Sequence, residues 1–141
     1  MIADLTGKTA LITGASNGLG KGIAQILAQQ GASIIVTDID GEAAKLAADE
    51  FIGLGYQAIS LQMDVTNIDS VDSAVSSAIN QAGPIHKLVN NAGVVVASSF
   101  LDMEEGNWDW CNDINYNSLV YCSKSFLPYL MKSEETALVN T

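Results

Sequence analysis

Between an apolar run of strand length and an amphipathic helix, the chain places Thr13-Gly14-Ala15-Ser16-Asn17-Gly18-Leu19-Gly20, with three glycines where the backbone has to reverse. Lacking a Cβ, glycine takes positive φ and lets a ligand or another backbone come close, so this turn is shaped to hold a diphosphate. The helix that follows would aim its unpaired N–H groups and positive dipole end at an anion lying over Ser16 to Leu19. Glycine also ends helices and fills ordinary turns, so the stretch draws its meaning from what surrounds it.

Upstream, Thr9-Ala10-Leu11-Ile12 has the length and composition of a strand buried on both faces. Downstream, Ile23, Ile26, Leu27 and Gln30 keep helical spacing, and Gly31 is a natural stop. Ser33 to Thr37 is a second β-branched strand, and it ends at Asp38. In a dinucleotide-binding βαβ unit, a carboxylate about 20 residues past the glycine turn accepts hydrogen bonds from the ribose hydroxyls, and Asp38 fits that position. The competing role is capping of the helix that starts near Gly41, which suits Asp40 better. A carboxylate here repels a 2′-phosphate, and the neighbouring Asn17 and Ile39 are uncharged. All six cationic residues are lysines, so no arginine is present to bind that phosphate. The expected cofactor is NAD(H) rather than NADP(H).

The length, 141 residues, suits one domain, and 48% hydrophobic residues can build its core. A formal net charge of −10 makes nucleic acid and anionic lipid poor partners, and it is compatible with high-salt life or simple solubility. Cys111 and Cys122 fall in one helical stretch about 16 Å apart along its axis, too far for a bond between them. They read as free thiols of a reducing compartment. His86 opens a strand without a ligand cluster and reads as structural. With no run of 18 apolar residues and no basic-apolar leader, a soluble cytoplasmic protein is expected.

The βα rhythm continues. Asp40 to Gly55 contains an alanine-rich helix, and Gln57 to Met63 alternates as an edge strand does. Thr66 and Asp69 are spaced as a capping box for a helix with Ile68, Val71, Val75, Ala78, Ile79 and Ala82 on one face. Gly83-Pro84 closes that helix, and Leu88-Val89 runs into Asn90-Asn91-Ala92-Gly93. Glu104 to Met131 reads as one long helix, apolar over much of its circumference, which needs cover on two sides. Strand and helix alternate without a linker, which argues for a doubly wound parallel sheet.

With these motifs in place the chain resembles the short-chain dehydrogenase/reductase family, in the subgroup with a TGxxxGxG turn and an NNAG segment. The resemblance spans nearly the whole chain, at Thr13 to Gly20, Asp38, Asp64-Val65 and Asn90 to Gly93. It implies a Rossmann-type sheet in strand order 3-2-1-4-5, a single NAD-binding domain over 1–141, and hydride transfer between NAD and an alcohol or ketone. Gly14, Ser16, Asn17, Gly18, Leu19, Gly20, Asp38 and Ile39 would serve the diphosphate and ribose. Asp64 and Val65 would border the adenine, and Asn91, Ala92 and Gly93 would line the adenosine side of the crevice. Turn chemistry is an alternative use of the asparagines, and both uses can coexist. The WDWCNDIN segment matches the one that carries the family's active-site asparagine, which gives Asn115 that role by match. Alternatively Asn115 satisfies backbone groups inside the bundle, and on either reading it is expected to be buried and hydrogen-bonded. Helix 104–131 would pack against a second subunit.

The family's chemistry also uses a serine and a Tyr-x-x-x-Lys pair, whose ammonium favours the phenolate form of the tyrosine. Here Tyr121 and Lys124 are three apart, as are Tyr129 and Lys132, and both pairs precede the run Ala137 to Thr141 that looks like the fifth strand. The expectation is a cofactor-binding N-terminal portion, truncated at the fifth strand, inactive alone and prone to associate. A non-catalytic NAD-binding module is the alternative.

Overall fold

The computed structural model describes residues 3–141. The strand-like runs become β1 (Thr9–Thr13), β2 (Ser33–Asp38), β3 (Ala58–Gln62), β4 (Lys87–Asn90) and β5 (Ala137–Asn140), with β1, β2 and β4 largely buried, β3 half-buried and β5 largely exposed. They form one parallel sheet in the order β3-β2-β1-β4-β5, with Leu11 of β1 opposite Ile35 of β2 and Leu88 of β4. Helices α1 (Gly18–Gln29), α2 (Gly41–Gly53) and α3 (Ile68–Ala82) fill the crossovers. After β4 the chain passes a short turn at Phe100–Asp102 into α4 (Glu105–Asn112) and α5 (Ser118–Leu130).

Side chains alternate across the sheet with the strand's period of two. Ala10, Ile12, Ile34 and Val36 meet Ala24, Ala28, Ala44, Ala47 and Phe51 of α1 and α2 on one face. On the other face Leu11, Ile35 and Leu88 meet Val71, Val75 and Ala78 of α3 and Cys122, Phe126 and Leu130 of α5. A sheet covered this way has its free crevice at the carboxyl ends of the strands, beside the reversal between β1 and β4.

Three local expectations change. The 104–131 stretch is not one regular helix, because Asp113–Asn117 forms a π-helical segment between α4 and α5. The cap of α3 is Asn67, whose Oδ1 accepts from the N–H groups of Asp69 and Ser70 at 3.0 and 3.1 Å. Thr66 instead turns back and donates its N–H and hydroxyl to Asp64 Oδ1, at 2.9 and 2.7 Å, so it is unavailable as a cap. Ile68 is exposed rather than on the packed face of α3.

Asp40 caps α2, accepting from Ala43 N–H at 3.0 Å. Cys122 is buried, and burial pushes its thiol up to about 12, which leaves it protonated and unreactive at neutral pH. His86 joins two strands through Nδ1, which accepts the Thr9 N–H at 3.1 Å and must be unprotonated to do so. Burial, with Lys8 and Lys87 adding to it and Glu135 opposing, holds its pKa below the usual 6.5. A base lowered by folding contributes stability that is complete above its unfolded value and is lost as pH falls through its folded value. Urea midpoints of the parent chain should therefore decline below about pH 6.5, and His86→Gln should flatten that decline. An unchanged pH profile in the variant would assign the loss to other groups.

Candidate cofactor-binding site

A cleft of about 740 Å³ opens at the carboxyl ends of the strands. Its floor is the glycine turn. Gly14 and Gly18 have φ of 61° and 54°, in the left-handed region, and Gly14 lies so close to the β4 loop that a Cβ would approach Ala92 Cα to 3.0 Å. Gly20 is tighter still, since a Cβ there would collide with the carbonyl oxygen of Gly14 and with Asn91 Nδ2. Helix α1 begins at Gly18 without a side-chain cap and with no acidic residue in its first turn. Its leading N–H groups are therefore free for an anion.

Thr13 and Asn91 fix the floor to the β4 loop. Thr13 Oγ1 accepts the N–H groups of both Asn91 and Ala92 at 2.9 Å. Asn91 Nδ2 donates to the carbonyls of Thr13 and Gly14 at 3.0 and 3.1 Å. Asn91 is thus both a turn residue and part of the cleft wall.

Asp38 stands at the end of β2, facing the turn. Its Oδ2 accepts the Ser16 hydroxyl at 2.6 Å and the Ser16 N–H at 3.3 Å, while Oδ1 accepts the Asp40 N–H at 3.2 Å. A carboxylate held by three donors keeps a fixed direction and retains lone pairs for hydroxyl donors. Among the described residues no lysine or histidine lines the cleft, and nearby Lys21 is paired with Glu50 at 2.5 Å.

Of the residues singled out in the sequence, Gly14, Asn17, Leu19, Gly20, Asp38, Ile39, Asp64, Val65, Asn91, Ala92 and Gly93 all line this one cleft. Three do not. Ser16 is buried behind Asp38, Gly18 forms the helix start, and Asn115 lies beyond the wall. Asn115 is exposed, contrary to expectation, yet it is hydrogen-bonded. Its Oδ1 accepts the Val94 N–H at 2.7 Å and its Nδ2 donates to the Val94 carbonyl at 2.8 Å. It lies in the π segment, whose extra residue per turn reorients the local backbone. The two bonds clamp the loop after Gly93 onto the helix.

Sequence reasoning missed Met63, Thr66, Val94, Trp110, Asp113, Ile114 and Thr141 as cleft residues. The spacing of Trp110, Asp113 and Ile114 at i, i+3 and i+4 would have revealed one helical face. Tyr129 and Lys132 meet through the ring face, with Nζ 5.2 Å from the centroid, so this ammonium does not address the phenol oxygen.

A family model described as short chain dehydrogenase matches residues 8–141. The oxidoreductase UcpA of Salmonella typhimurium is 45% identical over 135 residues, covering 96% of this chain and 51% of that protein. A short chain dehydrogenase/reductase from Burkholderia phymatum, solved in complex with NAD, superposes with a TM-score of 0.91 at 28% identity, covering 99% of this chain and 50% of the other. Hydroxysteroid dehydrogenase from Escherichia coli gives 0.90 at 34% identity, covering 97% and 58%. The chain spans about half the length of the curated relatives it matches.

Proposed function

The chain belongs to the short-chain dehydrogenase family, and from that premise we propose that it is the NAD(H)-binding part of an oxidoreductase acting on a small alcohol or ketone. The observation that carries this reading is Asp38, held over the glycine turn by Ser16 in a cleft with no cation on its described walls. The uncapped start of α1 and the close approach at Gly14 and Gly20 suit a diphosphate. Asp38 and Ile39 would take the adenosine ribose, Asp64 and Val65 the adenine, and Asn91 to Gly93 the wall between them. The cofactor, when bound, supplies the hydride acceptor or donor. Asn115 would position the active-site loop through Val94 rather than touch the reacting atoms.

The serine and the Tyr-x-x-x-Lys pair that move the proton in this family are not among these residues, so no turnover is expected from them alone. The second reading is a non-catalytic NAD-binding module, which a coding sequence continuing past Thr141 into those residues would exclude. We place the protein in the cytoplasm as a homo-oligomer joined along 104–131, where Trp108, Tyr116, Val120 and Leu127 are exposed. Among the described residues no helix is long and apolar enough to cross a membrane.

Asp38→Ala tests the cofactor assignment. Losing charge-assisted bonds worth about 1.5–3 kcal/mol should weaken NADH by about tenfold or more. NADPH should be weakened less, because the repulsion of its 2′-phosphate is removed as well. The preference for NADH over NADPH therefore narrows, and an unchanged ratio would remove Asp38 from cofactor selection.

A further inference from the structure

The cleft has one wall that the turn, the acid and the asparagines do not account for. Trp110, Asp113 and Ile114 come from the α4 face and the start of the π segment, and they line the same cavity as Asp64, Val65 and Thr66. Trp110 is 47% exposed, a large apolar surface left in water, and its indole makes no hydrogen bond or ring contact with any described residue. Trp108, two residues earlier, is also exposed but does not line the cleft, as expected when two positions are about 200° apart around a helix. The indole at 110 therefore has a direction, toward the cavity that the segment after β3 also lines.

We propose that Trp110 is a further nucleotide-binding residue of this cleft, sharing its wall with Asp64 to Thr66 and packing its indole against the purine ring of the bound nucleotide. The proposal rests on the dinucleotide reading of the cleft and adds to it a flat π surface. Every base offers a π-face, and aromatic packing against one is desolvating without needing a hydrogen-bond match. Trp110 thus supplies affinity for the adenosine half, while Asp38 supplies the discrimination at the ribose.

The chain has two tryptophans, so each can be observed alone. ADP-ribose is the probe, since it carries the adenine and diphosphate without the nicotinamide and its near-ultraviolet absorption. In Trp108→Phe, which leaves Trp110 as sole reporter, ADP-ribose should quench the indole emission saturably. In Trp110→Phe, which leaves Trp108, emission should not change although calorimetry still records binding. Trp110→Ala should bind ADP-ribose about tenfold more weakly than the parent chain. Calorimetric binding at equal strength in the parent and Trp110→Ala, with Trp110 emission unmoved, would overturn the proposal and leave the dinucleotide reading standing. Absence of binding heat in the parent chain itself would overturn that reading, and the proposal with it.

Discussion

Gly20→Ala should weaken NADH binding by about a hundredfold or more, or about 2.7 kcal/mol, although it adds one methyl to a helix that otherwise favours alanine. The added carbon lands on the Gly14 carbonyl oxygen, a backbone atom that cannot rotate away, and on Asn91 Nδ2. Relief requires the turn to open, which breaks the Asn91 bonds to the carbonyls of Thr13 and Gly14 and widens the diphosphate floor. Overpacking of this kind also costs about 1–3 kcal/mol of stability. Gly22→Ala is the internal control. The same helix carries Gly22 two residues on, and a Cβ there meets nothing within 4 Å. That substitution should leave NADH affinity unchanged and stabilise the chain by up to about 1 kcal/mol. Equal effects from the two variants would show that helix propensity, not closure of the turn, governs this segment.

Thr13→Val should be the most destabilising single change at the site. Thr13 is 2% exposed, and its hydroxyl oxygen is the acceptor for two consecutive backbone N–H groups. Valine has the same shape and no acceptor, so both donors lose their partner at about 1–3 kcal/mol each, or about 2–6 kcal/mol together. For a domain of this size that is a fall of roughly ten degrees or more in the melting midpoint. Thr13→Ser keeps the oxygen and loses a methyl, and it should cost about 1 kcal/mol. If valine and serine prove equally mild, water reaches the two N–H groups and Thr13 does not tie β1 to the β4 loop.

These two residues also show what the sequence makes legible. The glycine turn, the acid closing β2 and the NNAG segment are local signals that carry the family resemblance, and that resemblance implied the strand order and most of the cleft residues. Bulky periodicity was a poorer guide to packing. In α1 the buried positions are Gly20, Ala24 and Ala28, because the helix lies close on the sheet, while Ile26 is 53% exposed. The π segment was not legible, since its geometry accompanies a tertiary clamp between Asn115 and Val94, 21 residues apart. The same clamp satisfies Asn115 without burying it. Trp110 belongs to the stretch read as apolar helix surface, and only its place in the cleft wall with Asp113 and Ile114 gives it a ligand-facing direction.

The central claim is that these residues form a complete adenosine and diphosphate site selective against a 2′-phosphate. Its most direct test is titration of the unaltered 141-residue chain with NADH and, separately, NADPH, followed by nicotinamide fluorescence and calorimetry. Saturable binding of NADH, at least tenfold tighter than NADPH, is the predicted result, the margin being that of one unfavourable charge pair of about 1.4 kcal/mol. Equal affinities, or binding of neither nucleotide by a chain that still unfolds cooperatively, would contradict it.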